Sequence, residues 1–540
     1  MPKFNNNDVT RPAIIDHRSP WQASGLEQTQ VRTLDTDISA EVCVVGAGIA
    51  GLLCALELAE RGRSVVVVER SHIAAGDTSA TTAHLSAILD SRYFELASMH
   101  GEDEARLIAS SHLRGIAHIE RVVNAYGIDC GFQRVNGFLC AGNADQEKDL
   151  AREYSAATAA GLTCELVRRA PLALTGGPAL RVANQAQFEP LEFLAGVVNA
   201  LKQRGVPIYA PVTVTEFDTS SSGEVKLTTS QGKQIRAGHV VVATHSPVND
   251  IAAIHTKQAA YRTYAIAFET SEAATPSLAW DMEDPYHYVR LGIDAQTDRP
   301  VLIVGGEDHR VGQDEDTEKN FPRLETWARE RFPGAGPIAC QWSGQVFEPS
   351  DGLAFIGKNP GDDRVLILTG FSGNGMTYSA LSAELIADLI QGAAHPFAEL
   401  YDPKRKPKSA SALSSFIQEN LNTAAQYTDW LAPGDVANAE EIARGEGAVI
   451  RRGVHRIAVY VDNAGSKHEL SATCPHLGGV VAWNSAEKSW DCPCHGSRFD
   501  CQGKLLTGPA VSDLKPVQPA KDSEVKALSP NEEQASSKSA

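Results

Sequence analysis

Apolar residues fall into two rhythms along this chain. From position 41 the run EVCVVGAGIAGLLCALELAERGRSVVVVER sets two β-branched blocks, VCVV and SVVVVE, on either side of a segment whose Leu52, Leu53, Leu56 and Leu58 recur at helical spacing. The pattern predicts strand, glycine turn, helix and strand, a βαβ unit. Helical spacing dominates 100–127 and 145–160, and strands with turns recur from about 205 to 305. VLILTGFSGNGMTYSALSAELIADLI at 365–390 predicts a last strand, turn and helix. YDPKRKPKSASALSS at 401–415 interrupts the rhythm with Lys, Pro and Ser and reads as a boundary. Beyond it come one amphipathic helix, SFIQENLNTAAQYTDWL, and short strands from about 446, then a polar tail expected to be disordered. No internal repeat is visible.

Bulk properties narrow the setting. A chain of 540 residues exceeds one ordinary core, so two or three domains are expected. A formal charge of -18 disfavours nucleic acid or an anionic membrane surface as the main partner. No apolar run approaches the roughly 20 residues that span a bilayer, and the first residues carry no secretory pattern, so a cytoplasmic location without membrane insertion is expected. Of ten cysteines only the last four cluster, which suits reduced thiols plus one metal site rather than a disulfide framework.

Gly46, Gly48 and Gly51 form G-x-G-x-x-G between the first strand and the helix, and Glu69 ends the next strand. The first glycine permits a tight turn, the second lets backbone approach a pyrophosphate, and the third lets helix pack on strand. The helix N-terminus attracts phosphate, and the acid suits a ribose hydroxyl. A second glycine-rich turn, TGFSGNGMT, lies about 320 residues later between a strand and a helix.

With VVGAGIAGL at 44–52, ERSHIAAGDTS at 69–79, FEP at 188–190, VVVATHS at 240–246, WSGQVFEPSDGLAFIG at 342–357 and TGFSGNGM at 369–376, the chain resembles the D-amino-acid oxidase family of FAD enzymes, which includes glycine oxidase and sarcosine oxidase. The resemblance implies that Gly46, Gly48, Gly51, Glu69, Arg70, Thr78 and Ser79 serve the ADP half of FAD, and that Gly373, Gly375 and Met376 lie near the flavin ring or ribityl chain. No other strand is followed by a G-x-G-x-x-G, so electrons are expected from an organic substrate rather than NAD(P)H.

Cys474-x-His476 and Cys492-x-x-His495 stand fifteen residues apart in Gly/Pro-rich loops. The same four ligands would suit tetrahedral zinc. CPHLGG, CPCHGSRFD and GPA together resemble a Rieske [2Fe–2S] domain, in which two thiolates hold one iron and two imidazoles the other. Relative to the high-potential respiratory pattern, Gly479 stands where a second cysteine would pair with Cys494, and Phe499 where a tyrosine hydroxyl would face a ligand sulfur. Ser497 is retained. Fewer hydrogen bonds to sulfur imply a lower potential. A ring-hydroxylating oxygenase would need further iron ligands after the cluster, and no histidine follows His495.

The fold expected is α/β plus all-β: a Rossmann-type FAD-binding domain with an interleaved α+β substrate domain, followed by a small antiparallel β Rieske domain. The boundaries expected are a lead-in at 1–40, the flavin unit at 41–400, a linker with its helix at 401–445, the Rieske domain at 446–527 and the tail at 528–540. The combination resembles FAD-dependent oxidoreductases with a C-terminal Rieske domain. It implies hydride transfer from a small substrate, an amine or amino acid, to flavin N5, then single-electron transfer through the cluster to an external acceptor. Reverse flow from a ferredoxin-like donor, or an electron-transfer module docking a partner protein, are the alternatives. Arg290 in YHYVRLG matches the place where relatives fix a substrate carboxylate, with Tyr264, Tyr286 and Tyr288 as further pocket candidates and His309 in GGEDHRVG as another. His84 falls where the isoalloxazine would approach, although its spacing differs from that of histidines that attach FAD covalently.

Overall fold

The computed structural model describes residues 17–22, 26, 31–172, 174–220, 223–249, 254–271, 275–314, 316–407 and 409–517. Residues 1–16 of the lead-in and the tail at 528–540 lie outside the described residues.

Strand Ile38–Val45 pairs in parallel with Val65–Val68, Val42 opposite Val65, and with Gln234–Val242, Val42 opposite His239. Its side chains divide between two cores: Val42 and Val44 face the helix layer, while Cys43 and Val45 face a cluster with Leu227, Ile235 and Val240. Burial on both faces explains why these strands read as unbroken apolar runs rather than alternations. Helix Ile49–Glu60 connects the first two strands, and helix Gly375–Gln391 packs along it. Strand Asp362–Thr369 joins Gln234–Val242 in parallel, completing the eight-stranded sheet with Phe355–Asn359, Ile208–Tyr209 and an antiparallel side pair.

A nine-stranded sheet stands beside it. Its long antiparallel strands Gln258–Glu269, Arg299–Arg310 and Ile338–Pro349 place Thr263, Asp308 and Gln345 at its cavity edge. Helices Glu102–Tyr126 and Ala144–Ala159 form where helical spacing predicts them.

The boundary at 401–415 gives way to helix Ala410–Gln426 and the short turn Tyr427–Trp430. The helix is amphipathic, yet its stripe of Leu413, Ile417 and Leu421 is 50%, 49% and 67% exposed, so tertiary packing does not cover its apolar face. Tyr427 Oη and Trp430 Nε1 instead donate to Leu477 O and Gly478 O, tying the linker to the first Cys/His loop. The remainder forms antiparallel sheets of three and four strands around a core of its own that includes Trp490 and Phe499. Among the described residues no helix is long and apolar enough to cross a membrane.

Candidate functional site

The first glycine turn is shaped by close backbone approach. Gly46 has φ +109°, and a Cβ there would stand 2.4 Å from Ala243 O; at Gly51 it would stand 2.0 Å from Gly46 O. Either side chain would drive strand and helix apart. Glu69 accepts from Ala47 N–H and Ser71 N–H, each at 2.8 Å, which holds its carboxylate beside the turn. Thr78 Oγ1 accepts from Ile49 N–H at 3.2 Å, filling a role at the helix start that Gly48 lacks a side chain to perform.

One cavity runs from Gly46, Gly48, Glu69, Arg70 and Thr78 to Gly373, Gly375 and Met376. The two glycine segments, distant in sequence, thus meet on one elongated space. Gly51 lies in the helix packing rather than on the cavity wall. Ser79 departs from expectation: its hydroxyl donates to Gly76 O at 3.0 Å and its side chain faces a separate cleft. A bare-backbone turn, a helix N-terminus and a fixed acid fit a dinucleotide.

The far end of the cavity holds His84, Asp90, Thr263, Trp280, Tyr286, Tyr288, Asp308 and Phe371. Arg290 does not reach it. Its Nη1 donates to Thr82 O, Ala83 O and Phe188 O and its Nε to Leu291 O, and its Nη2 faces Glu189 at 3.9 Å, so the guanidinium is buried and turned toward main-chain carbonyls. A strand arginine turned to carbonyls on its own side of the sheet does not line the cavity. His309 is likewise turned away: Nε2 meets Tyr264 Oη at 3.0 Å and Nδ1 faces Arg310 O. Tyr264 is fully buried in the sheet core. Strand alternation explains both, since Asp308, one residue from His309, points into the cavity in its place. That neighbour is the residue sequence reasoning missed, and alternation against His309 was the available signal.

Asp90 accepts from Gly373 N–H at 2.7 Å and from Tyr286 O–H at 3.3 Å. Burial raises the Asp90 carboxyl above its ordinary range. Burial lifts Asp308 to about 7, and burial together with Asp90 and Asp308 lifts nearby Glu348 to about 8. His84 is held neutral, lowered to about 3 by burial and then by the Arg290 charge. For an acid whose folded-state pKa is raised, the unfolded chain ionises first, so folding stability falls as pH rises from the ordinary carboxylate range toward 7–8. Thermal unfolding of the substrate-free enzyme is expected to shift downward between pH 5 and 8, and Asp308→Asn is expected to flatten that slope; an unchanged slope would refute the assignment.

In the C-terminal unit the side chains of Cys474 and Cys492 lie within hydrogen-bond reach of each other. The rings of His476 and His495 are 5.1 Å apart. Burial keeps both imidazoles neutral, lowering His476 to about 3 and His495 to about 4. His476 Nε2 is buried without a hydrogen-bond partner. Two sulfurs and two neutral imidazoles converging from two loops fit a [2Fe–2S] group. The Cys494 thiol lies where a side chain at position 479 would sit, with Sγ 2.5 Å from a Cβ placed on Gly479. Cys474, Cys492, Cys494 and Cys501 form no disulfide. Phe499 is fully buried, and the Ser497 hydroxyl accepts from Ala510 N–H at 3.0 Å while facing Cys474.

The cluster loops are docked on the flavin unit. Gly496 O accepts from Gln345 Nε2 at 2.8 Å, and a Cβ on Gly496 would stand 2.4 Å from Ala260 Cβ. Glu487 bridges Arg262, at 2.6 Å, and Arg498, which also pairs with Asp491 at 2.9 Å. Arg70 donates to Leu505 O and Leu506 O, and residues 505–508, 510 and 511 close one side of the dinucleotide cavity. His255 lies between the units, its ring 4.9 Å from His476 and 5.7 Å from His495.

A flavin-type cavity with two Cys/His loops docked against it suits the class of FAD-dependent oxidoreductases that carry a Rieske [2Fe–2S] cluster. The chain belongs to the FAD dependent oxidoreductase family, whose model matches residues 41–389, and a Rieske [2Fe-2S] domain model matches 432–518. It is 29% identical over 486 residues to the Rieske 2Fe-2S iron-sulfur protein YhfW of Bacillus subtilis strain 168, covering 90% of this chain and 94% of that one. It is 27% identical over 411 residues to γ-glutamylputrescine oxidoreductase of Escherichia coli K12, covering 71% and 91%. The fold is similar to that of glycine oxidase from Geobacillus kaustophilus, with TM-score 0.57 and 19% identity over 68% of this chain and 99% of that one.

Phe499 brings no hydroxyl and Cys494 forms no disulfide, the two departures from the respiratory pattern from which weaker hydrogen bonding to the cluster sulfurs is expected. A redox titration is expected to give a midpoint below the respiratory class, and Phe499→Tyr is expected to raise it. A wild-type value at the high end of the Rieske range would exclude this.

Proposed function

We propose that the enzyme is a dehydrogenase that oxidises a C–N bond of a small amine or amino acid and delivers the electrons singly, through its Rieske domain, to an external acceptor. The observation that carries this reading is His255. It contacts both histidines assigned to the cluster, and its Nε2 meets Pro247 O at 3.1 Å in the loop whose Thr244, His245 and Val248 line the dinucleotide cavity. When bound, FAD supplies a two-electron hydride acceptor and the [2Fe–2S] group a one-electron relay.

This chain's own residues supply the rest. Glu69 and the bare turn at Gly46 and Gly48 hold the dinucleotide end, and residues 505–511 screen that end from water. Thr263, Tyr286, Tyr288 and Trp280 wall the end where a substrate would sit. The C–N preference draws on the likeness to a γ-glutamylputrescine oxidoreductase.

Anaerobic mixing of the holoenzyme with a panel of amines and amino acids, watching flavin and cluster absorbance, tests the reading. Bleaching of flavin followed by cluster reduction is expected. Flavin reduction only from the cluster side, by a reduced ferredoxin, would replace it with reverse flow. Inertness across the panel would favour an electron-transfer module.

A further inference from the structure

Charge along the cavity is uneven. Arg70 is the one lysine or arginine among its lining residues, and it sits at the dinucleotide end with its guanidinium donating to Leu505 O and Leu506 O. The opposite end presents two carboxyl groups, Asp90 and Asp308, among Trp280, Tyr286, Tyr288 and Phe371. We propose that this end is a subsite for a cationic head group, so that the substrate is an alkylamine carried as its ammonium ion rather than an α-amino acid held by its carboxylate. This rests on the amine-oxidising reading above and sharpens it.

Three independent features converge. Asp308 Oδ1 is buried and has no hydrogen-bond partner. A buried carboxylate oxygen left unpaired is unfavourable, and an ammonium offers three donors to satisfy it. Asp90 has each oxygen engaged once, by Gly373 N–H and Tyr286 O–H, which leaves acceptor capacity on both. The surrounding aromatic rings favour a cation by their negative faces and give an anion nothing.

The groups that would hold a carboxylate are absent from this end or already occupied. Arg290 is turned toward main-chain carbonyls and does not line the cavity. His84 is neutral. His287 carries a charge, since its hydrogen bond to Asp281 and the Glu307 carboxylate 3.6 Å away outweigh burial and raise it to about 9, but those two acids balance it and it does not line the cavity.

The test uses the flavin- and cluster-loaded enzyme and two probes of matched size, benzylammonium and benzoate, by equilibrium dialysis. The cation is expected to bind saturably and in preference to benzoate, with Asp308→Asn weakening it about 10-fold or more and Asp90→Asn acting in the same direction. Both variants keep the shape of the side chain, and flavin content reports whether they fold. Equal or tighter binding of benzoate, binding of neither probe, or cation affinity unchanged in both variants would overturn the subsite. The two readings fail separately. Selective cation binding without flavin reduction by any amine would leave the subsite and remove the activity. Flavin reduction by α-amino acids, insensitive to Asp308→Asn, would leave the activity and remove the subsite.

Discussion

Replacing Glu487 with alanine is expected to destabilise the holoenzyme by about 3–5 kcal/mol, the range found when one partner of a buried ion pair is removed. Glu487 is the shared anion of two guanidiniums, Arg262 from strand Gln258–Glu269 of the flavin unit and Arg498 from the cluster domain, whose side chains are 3% and 8% exposed. Without it Arg262 retains Ser343 and Arg498 retains Asp491, but two like charges then face each other across a desolvated interface. The loss should therefore appear at the seam between the units. Scanning calorimetry is expected to resolve an earlier, separate transition for the cluster domain. Stopped-flow should show flavin reduction at the normal rate with slowed cluster reduction, because the contact of His255 with His476 and His495 depends on docking. Glu487→Gln, which keeps one acceptor, is expected to fall between the two. A variant with wild-type unfolding and unchanged cluster reduction would show that the seam is held elsewhere, by Gln345, Arg70 and Thr317, whose hydroxyl accepts from Ser485 N–H at 3.1 Å.

Cys492→Ser should give the largest functional effect. Removing even an outer partner of a metal ligand lowers metal affinity by about 10–100-fold, so removing the thiolate itself is expected to empty the site. Cluster absorbance and the reduced-state paramagnetic signal should vanish while the flavin spectrum persists, because the glycine turn at Gly46 and Gly48 and the Glu69 carboxylate belong to the flavin unit. Substrate should still bleach the flavin, and reduction of a one-electron acceptor should collapse. Cys492 is buried in the small core with Trp490 and Phe499, so metal loss should also lower the unfolding temperature of that domain. Acceptor reduction at the wild-type rate in a cluster-free variant would mean that electrons leave the flavin directly.

The local elements were legible because their physics is local. Strand Ile38–Val45, helix Ile49–Glu60 and strand Val65–Val68 follow from runs of β-branched residues around a glycine turn, and burial on both faces demands those runs. The four-ligand constellation was legible for a similar reason: two loops must each bring a sulfur and an imidazole to one point, and few sequences do so otherwise. The substrate end was not legible. Arg290 has the right residue type on a plausible strand, but the strand's facing decides whether a guanidinium meets a ligand or a carbonyl, and facing is set by partners far along the chain. His309 failed for the same reason, whereas Ser79 lies in a turn where its hydroxyl bonds back to Gly76 O. Alternation in GGEDHR sets Asp308 opposite His309, but nothing in the segment says which of the two faces the cavity.

The sequence by itself determined which chemistries the protein can hold, since phosphate-binding turns and metal ligands depend on residue types at short, fixed spacings. Only the tertiary structure decided what those chemistries face. It set Asp308 rather than Arg290 at the substrate end, left the apolar stripe of helix Ala410–Gln426 in solvent, and brought His255 against both cluster histidines. Each of these is a contact between residues distant in sequence, and packing alone chooses which side of a strand or helix such a contact uses.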